Sequence, residues 1–148
     1  MWLRDRRNSR AAKPTAETLQ VMGNIYYAFH RINLVEGTYE MTKPSDYMRE
    51  ILPETKGEYD KLLKAIVSAL DEWTGEDFAQ NFSLENIRRL AGQDVRDFGG
   101  EFLRRFGENT RWVSARLLID PEQMPNEAVL CFRDVEAEKE EQQQQVRL

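Results

Sequence analysis

Apolar residues change their spacing along this chain, and each change marks a change of element. Leu19, Met22, Ile25 and Tyr26 recur at three- and four-residue intervals behind Pro14-Thr15-Ala16-Glu17, a helix start, so residues 15–25 read as an N-terminal helix with one greasy side. From Tyr27 the texture becomes β-branched and aromatic. Residues 27–34 and 38–42 read as two strands, with Glu36-Gly37 as the turn of a hairpin. Between Pro44 and Gly92 the pattern predicts short helices and no strand. Tyr59, Leu62, Leu63, Ile66, Val67 and Leu70 fall at i, i+3, i+4, i+7, i+8 and i+11, one face of a helix. Thr74-Gly75-Glu76-Asp77 resembles a capping box before Phe78, and Ser83-Leu84-Glu85 offers a cap before Ile87 and Leu90.

The last third reads as three strands, 98–106, 110–119 and 127–135, followed by a charged, Gln-rich helical tail over 136–148. Gly107-Glu108-Asn109 supplies a tight connection and residues 121–126 a looser one. Both alternating sets are apolar: Val113, Ala115, Leu117 and Ile119 oppose Trp112 and Leu118, and Leu130 and Phe132 oppose Val129 and Cys131. A sheet with one wet face alternates more cleanly, so both faces are expected to be at least partly covered. An antiparallel meander whose final strand runs straight into a solvated helix can pass strain from a ligand-sized core to a partner element. That arrangement suits a signalling module better than a catalyst.

Composition narrows the picture further. With 148 residues, 41% apolar and 10% aromatic, the chain suffices for one domain with a sizeable core. Its net charge of -5 excludes a general nucleic-acid binder. Cys131, the only cysteine, permits neither an internal disulfide nor a cysteine-rich zinc site, which fits a reducing, cytoplasmic location. No signal-peptide core and no membrane-length apolar run is present. Arg4, Arg6, Arg7, Arg10 and Lys13 make residues 1–14 a basic arm, read as flexible in preference to a nucleic-acid or lipid contact.

In this order of elements, three places resemble the PAS family of sensor domains found in front of bacterial diguanylate cyclases and histidine kinases. Ile32-Asn33-Leu34-Val35-Glu36-Gly37-Thr38-Tyr39-Glu40 is similar to the family's opening I-D-L-x-x-G-x-Y hairpin. Glu101-Phe102-Leu103-Arg104-Arg105, with Thr110-Arg111-Trp112-Val113, looks like its acidic-aromatic hairpin closing on a tryptophan. Phe132-Arg133-Asp134-Val135-Glu136-Ala137-Glu138-Lys139 resembles its closing D-I-T-E-x-K. Two departures stand out: Glu136 replaces the usual threonine, and Trp73-Thr74-Gly75-Glu76-Asp77 replaces H-P-x-D.

The resemblance implies an α+β domain over 26–135: a five-stranded antiparallel sheet in the order 2-1-5-4-3, short helices on one face, an N-terminal helix and an exit helix or linker over 136–148. It also implies a small cavity that binds a ligand, or a domain that dimerises without one. The cavity is expected between the sheet face bearing Ile32, Met41 and Phe102 and the helices bearing Phe78, Phe82, Ile87 and Leu90. Asp134, Glu136 and Lys139 are the expected relay into the exit helix, and Leu19, Met22, Ile25 and Tyr26 the expected homodimer interface. The output domain, a cyclase or kinase, would lie beyond Leu148 in a longer protein or act in trans.

Individual residues add no catalytic signal. His30, the only histidine, lies in the first strand, away from the helical position of the family's haem ligand, and Cys131 lacks the N-C-R-F-L context of the flavin-linked thiol. Neither haem nor flavin is therefore expected. The acidic run from Glu136 reads as a solvated helix, Phe98-Gly99-Gly100 as close packing within a strand, and metal-ligand spacing is absent. Two other functions stay open: a small α+β enzyme, which a carboxylate beside His30 would favour, and a protein-interaction adaptor, which a filled core would favour.

Overall fold

The computed structural model describes residues 26–106 and 108–147. The chain opens with a hairpin of β1 (Ala28–Asn33) and β2 (Thr38–Lys43) and continues through α1 (Asp46–Ile51) and β3 (Lys56–Glu58). Three helices follow, α2 (Tyr59–Ala69), α3 (Glu72–Asn81) and α4 (Leu84–Gly92). The meander of β4 (Asp97–Phe106), β5 (Asn109–Ile119) and β6 (Glu127–Asp134) then leads into α5 (Glu136–Arg147). The strands form one antiparallel sheet in the order β3-β2-β1-β6-β5-β4.

The expected five-strand order is present as β2-β1-β6-β5-β4, but the sheet has a sixth strand, β3, where helices alone were expected. Lys56-Gly57-Glu58 carries no apolar alternation that could announce a strand. Its register comes from pairing Gly57 with Tyr39, whose ring would lie 3.1 Å from a Cβ at that glycine. The residues of the expected N-terminal arm and helix, 1–14 and 15–25, lie outside the described residues.

Local chemistry explains the joints. Between β1 and β2, Asn33 Oδ1 accepts from the Val35 and Glu36 N–H groups at 3.0 and 2.9 Å. Gly37 closes that turn at φ 72°, and a side chain there would also strike Leu84 Cδ2 at 2.8 Å. Arg88 of α4 pins the same turn by donating to the Leu34 carbonyl at 2.7 Å. Ser83 caps α4 as expected, its Oγ accepting from Asn86 N–H at 3.2 Å. The capping box expected at Thr74 is corrected: α3 already begins at Glu72, with Asp71 before it, and Thr74 lies inside the helix, bonded back to the Asp71 carbonyl.

Helices α2, α3 and α4 lay their apolar residues on the sheet face formed by Ala28, Ile32, Phe102, Val113, Ala115, Leu117, Leu130 and Phe132. The opposite face carries a smaller cluster of Phe29, Val129 and Cys131, joined by half-buried Tyr26, Leu118 and Met124. This is the two-faced burial that the double apolar alternation of β5 and β6 predicts.

Candidate functional site

Six of the seven residues expected to line a cavity join one core cluster between sheet and helices, and Leu90 is buried outside that cluster. Ile32, Met41, Phe78, Phe82, Ile87, Leu90 and Phe102 are all buried. The Phe78 and Phe82 rings stack at 4.3 Å between centroids, and Phe102 meets Phe78 edge-on at 5.0 Å. Phe98 and Phe132 extend the ring cluster to 5.4 and 6.2 Å. At this level five rings pack against one another between the sheet and the helices.

Open space lies instead at the other end of the same sheet face, where β1 starts and β2 ends. A register shift between Phe29 and His30 skips one residue of β2, and the chain turns away through Pro44 into α1. The groove left there has a volume of about 590 Å³ and is bordered by Tyr27, Lys43, Tyr47, Arg49, Arg104 and Asp134, among others. Behind it is a cavity of about 20 Å³, lined by His30, Met48, Ile66 and Phe132, with room for about one water. Tyr27, Ser45 and Arg104 line both, so they form the partition.

Arg104 is the most unusual group in this partition. It is 5% exposed, yet among the described residues it forms no ion pair. Its guanidinium lies 4.1 Å from the Phe106 ring centroid, 5.0 Å from Tyr27 and 5.8 Å from Tyr47, and Nη2 donates to Ser45 Oγ at 3.3 Å. Such ring contacts contribute ~0.5–2 kcal/mol each, less than the several kcal/mol that desolvating an ion costs. Burial outweighs the neighbouring cation and pushes the Tyr27 phenol up to about 12, so it stays a neutral hydroxyl. Behind Arg104, His30 is fully buried with neither ring nitrogen hydrogen-bonded, and burial pulls its pKa down to about 4. Among the described residues, no carboxylate is hydrogen-bonded to it.

The three residues expected to form a relay all lie where the C-terminal helix meets the sheet. Asp134 accepts from Arg111 Nε at 2.7 Å and, through Oδ1, from the Glu136 N–H at 3.0 Å. Burial would raise its pKa, but the bonds from Arg111 and from that N–H prevail and hold it below the usual carboxylate range. Glu136 brings a carboxylate whose Oε2 accepts from Trp112 N–H at 2.7 Å. Lys139 pairs with Glu101 at 2.7 Å and lies 4.8 Å from the Trp112 ring centroid. Since Val113 points into the main core, Trp112 points to the opposite face, and α5 starts across that face. Arg111, Trp112 and Glu101, which complete this clamp, stood in the sequence only as part of the hairpin resemblance, with no sign of contact to the exit helix.

Of the expected dimer interface, Leu19, Met22 and Ile25 lie outside the described residues. Tyr26 is half-buried against the second cluster, and its carbonyl accepts from Lys43 Nζ at 3.0 Å. Cys131 is fully buried in that cluster, and burial raises its thiol pKa to about 12. Among the described residues, no three acidic, histidine or cysteine side chains are grouped to hold a metal ion, and no helix is long and apolar enough to cross a membrane. No family model and no curated protein matches this sequence.

Proposed function

We propose that this chain is a PAS-like sensory and dimerising input domain, which binds a ligand or partner and relays a conformational change through α5 to a cyclase or kinase output domain. One observation carries the reading: β6, paired on both sides with β1 and β5, runs without a loop into a helix tied back to β5 and β4. A change in sheet curvature moves Asp134 and Val135 and with them the first turn of α5. A ligand drives that change only by its differential affinity for two packings, a few kcal/mol at most. The chain acts as a binding and relay module with no chemistry of its own. Dimerisation is assigned to Leu19, Met22, Ile25 and Tyr26, apolar residues that recur at helical spacing in the sequence.

The test joins the chain to a diguanylate cyclase or histidine kinase catalytic domain beyond Leu148. The combined Asp134→Ala and Glu136→Ala variant should change output by at least about fivefold, the lower end of ordinary coupling energies. A folded variant with unchanged output at every linker length contradicts the relay.

A ligand-free interaction adaptor is the second reading, and the filled core of Phe78, Phe82 and Phe102 favours it. Trp73, 79% exposed on α3, would suit such a contact surface. The enzyme reading has no comparable support, because His30 has no acidic partner.

A further inference from the structure

The Arg104 guanidinium, a cation with donors and no acceptor, lies out of water between three rings and a hydroxyl. Ring faces and hydroxyls supply partial charge only. A buried ion is ordinarily matched by a counter-ion. Two carboxylates border the groove, but Asp134 is taken by Arg111 at 2.7 Å and Asp46 forms no ion pair with Arg104. Lys43 and Arg49 border the same groove, so its charge is positive on balance around the one buried cation. An independent observation points the same way: fully buried His30, with both ring nitrogens unbonded, faces the small cavity directly behind Arg104. A buried histidine without a hydrogen bond and a buried cation held only by rings and hydroxyls, at one partition, indicate a site built for a polar guest.

We propose that this groove binds a small oxyanion-bearing molecule, a carboxylate or phosphate on an aromatic or apolar body, with the anionic group paired to Arg104 and the body against Tyr47 and Phe106. A guanidinium offers two parallel N–H donors to either oxyanion, and the surrounding rings hold it in place for both. Arg49, exposed at the rim, adds attraction for the incoming charge. This gives the input-domain reading a ligand class and relies on that reading only for its consequence in signalling.

Binding is tested on the full chain by calorimetric and NMR titration with inorganic phosphate, phenyl phosphate and benzoate. Saturable binding of phenyl phosphate or benzoate at millimolar concentration or below is expected, tighter than that of inorganic phosphate, and the better of the two identifies the oxyanion. Arg104→Met should bind at least tenfold more weakly while melting, in anion-free buffer, at or above the temperature of the unaltered chain, since it removes an unmatched charge. Arg49→Gln, on the surface, should weaken binding severalfold and leave the fold intact. Absence of saturable binding to any probe, or equal binding by Arg104→Met, overturns the site; if Arg104→Met fails to fold, unchanged affinity in Arg49→Gln overturns it. Loss of the anion site would leave the output test of the Asp134 and Glu136 clamp standing, so the two failures are distinguishable.

Discussion

His30 has no hydrogen-bond partner and no room for a counter-ion beyond a cavity of about 20 Å³. Its ring is therefore neutral in the folded chain down to about pH 4, whereas in the unfolded chain it titrates near 6.5. Above pH 6.5 neither state binds the proton, and the residue adds no pH dependence. As pH falls from 6.5 to 4 the unfolded chain alone becomes protonated, so folding stability falls by up to about 3 kcal/mol and the contribution is then constant. Urea unfolding of the intact chain and of His30→Phe at pH 7 and 4.5 checks this: the substitution should remove most of the difference, and an equal loss in both chains contradicts it. At the residue scale the sequence disclosed types better than partners. That Cys131 is a packed strand thiol was legible from its apolar neighbours. Arg104 was overlooked, although it breaks an alternation of Phe98, Phe102 and Phe106 on the core side of β4, a signal open to inspection.

Among elements, those with strong periodicity were legible and those made by tertiary pairing were not. The helix over Tyr59–Ala69 and the strands of the meander followed from spacing alone. β3 did not, because its three residues are held by the backbone of β2 and have no pattern of their own. The two caps show the same division. Ser83 stands directly before the apolar face of α4 and makes its bond, whereas Asp71 precedes α3 with no side-chain cap bond. Ser83→Ala should therefore cost about 1 kcal/mol in thermal or urea unfolding, and Asp71→Ala well under half of that. Equal costs would contradict these cap assignments. Ring packing was illegible for a related reason: apolar spacing tells which residues face inward, but not whether their rings meet. Phe78, Phe82 and Phe102 do meet, and a groove lies where β2 breaks register.

At the scale of the molecule, the order of five strands agrees with what the resemblance implied, whereas spacing along the chain gives strands without their order. The coupling of sheet to exit helix was legible in its residues and not in its contacts, since Asp134, Glu136 and Lys139 reach partners 23 to 38 positions earlier in the chain. The proposed dimer is assigned to a segment that includes Leu19 and Ile25. Light scattering of Leu19→Asp and Ile25→Asp should show the mass halved relative to the unaltered chain, and an unchanged dimer mass removes the interface. The account as a whole requires that α5 and the strands beneath it open together. Native-state hydrogen exchange tests that requirement most directly, on the Val135 N–H bonded to the Trp112 carbonyl and the Lys139 N–H bonded to the Val135 carbonyl. The account predicts that both exchange in one cooperative unit with the β5 and β6 amides, and that Glu136→Ala lowers their protection together. Independent opening of α5, with β5 and β6 unaffected by Glu136→Ala, would contradict it.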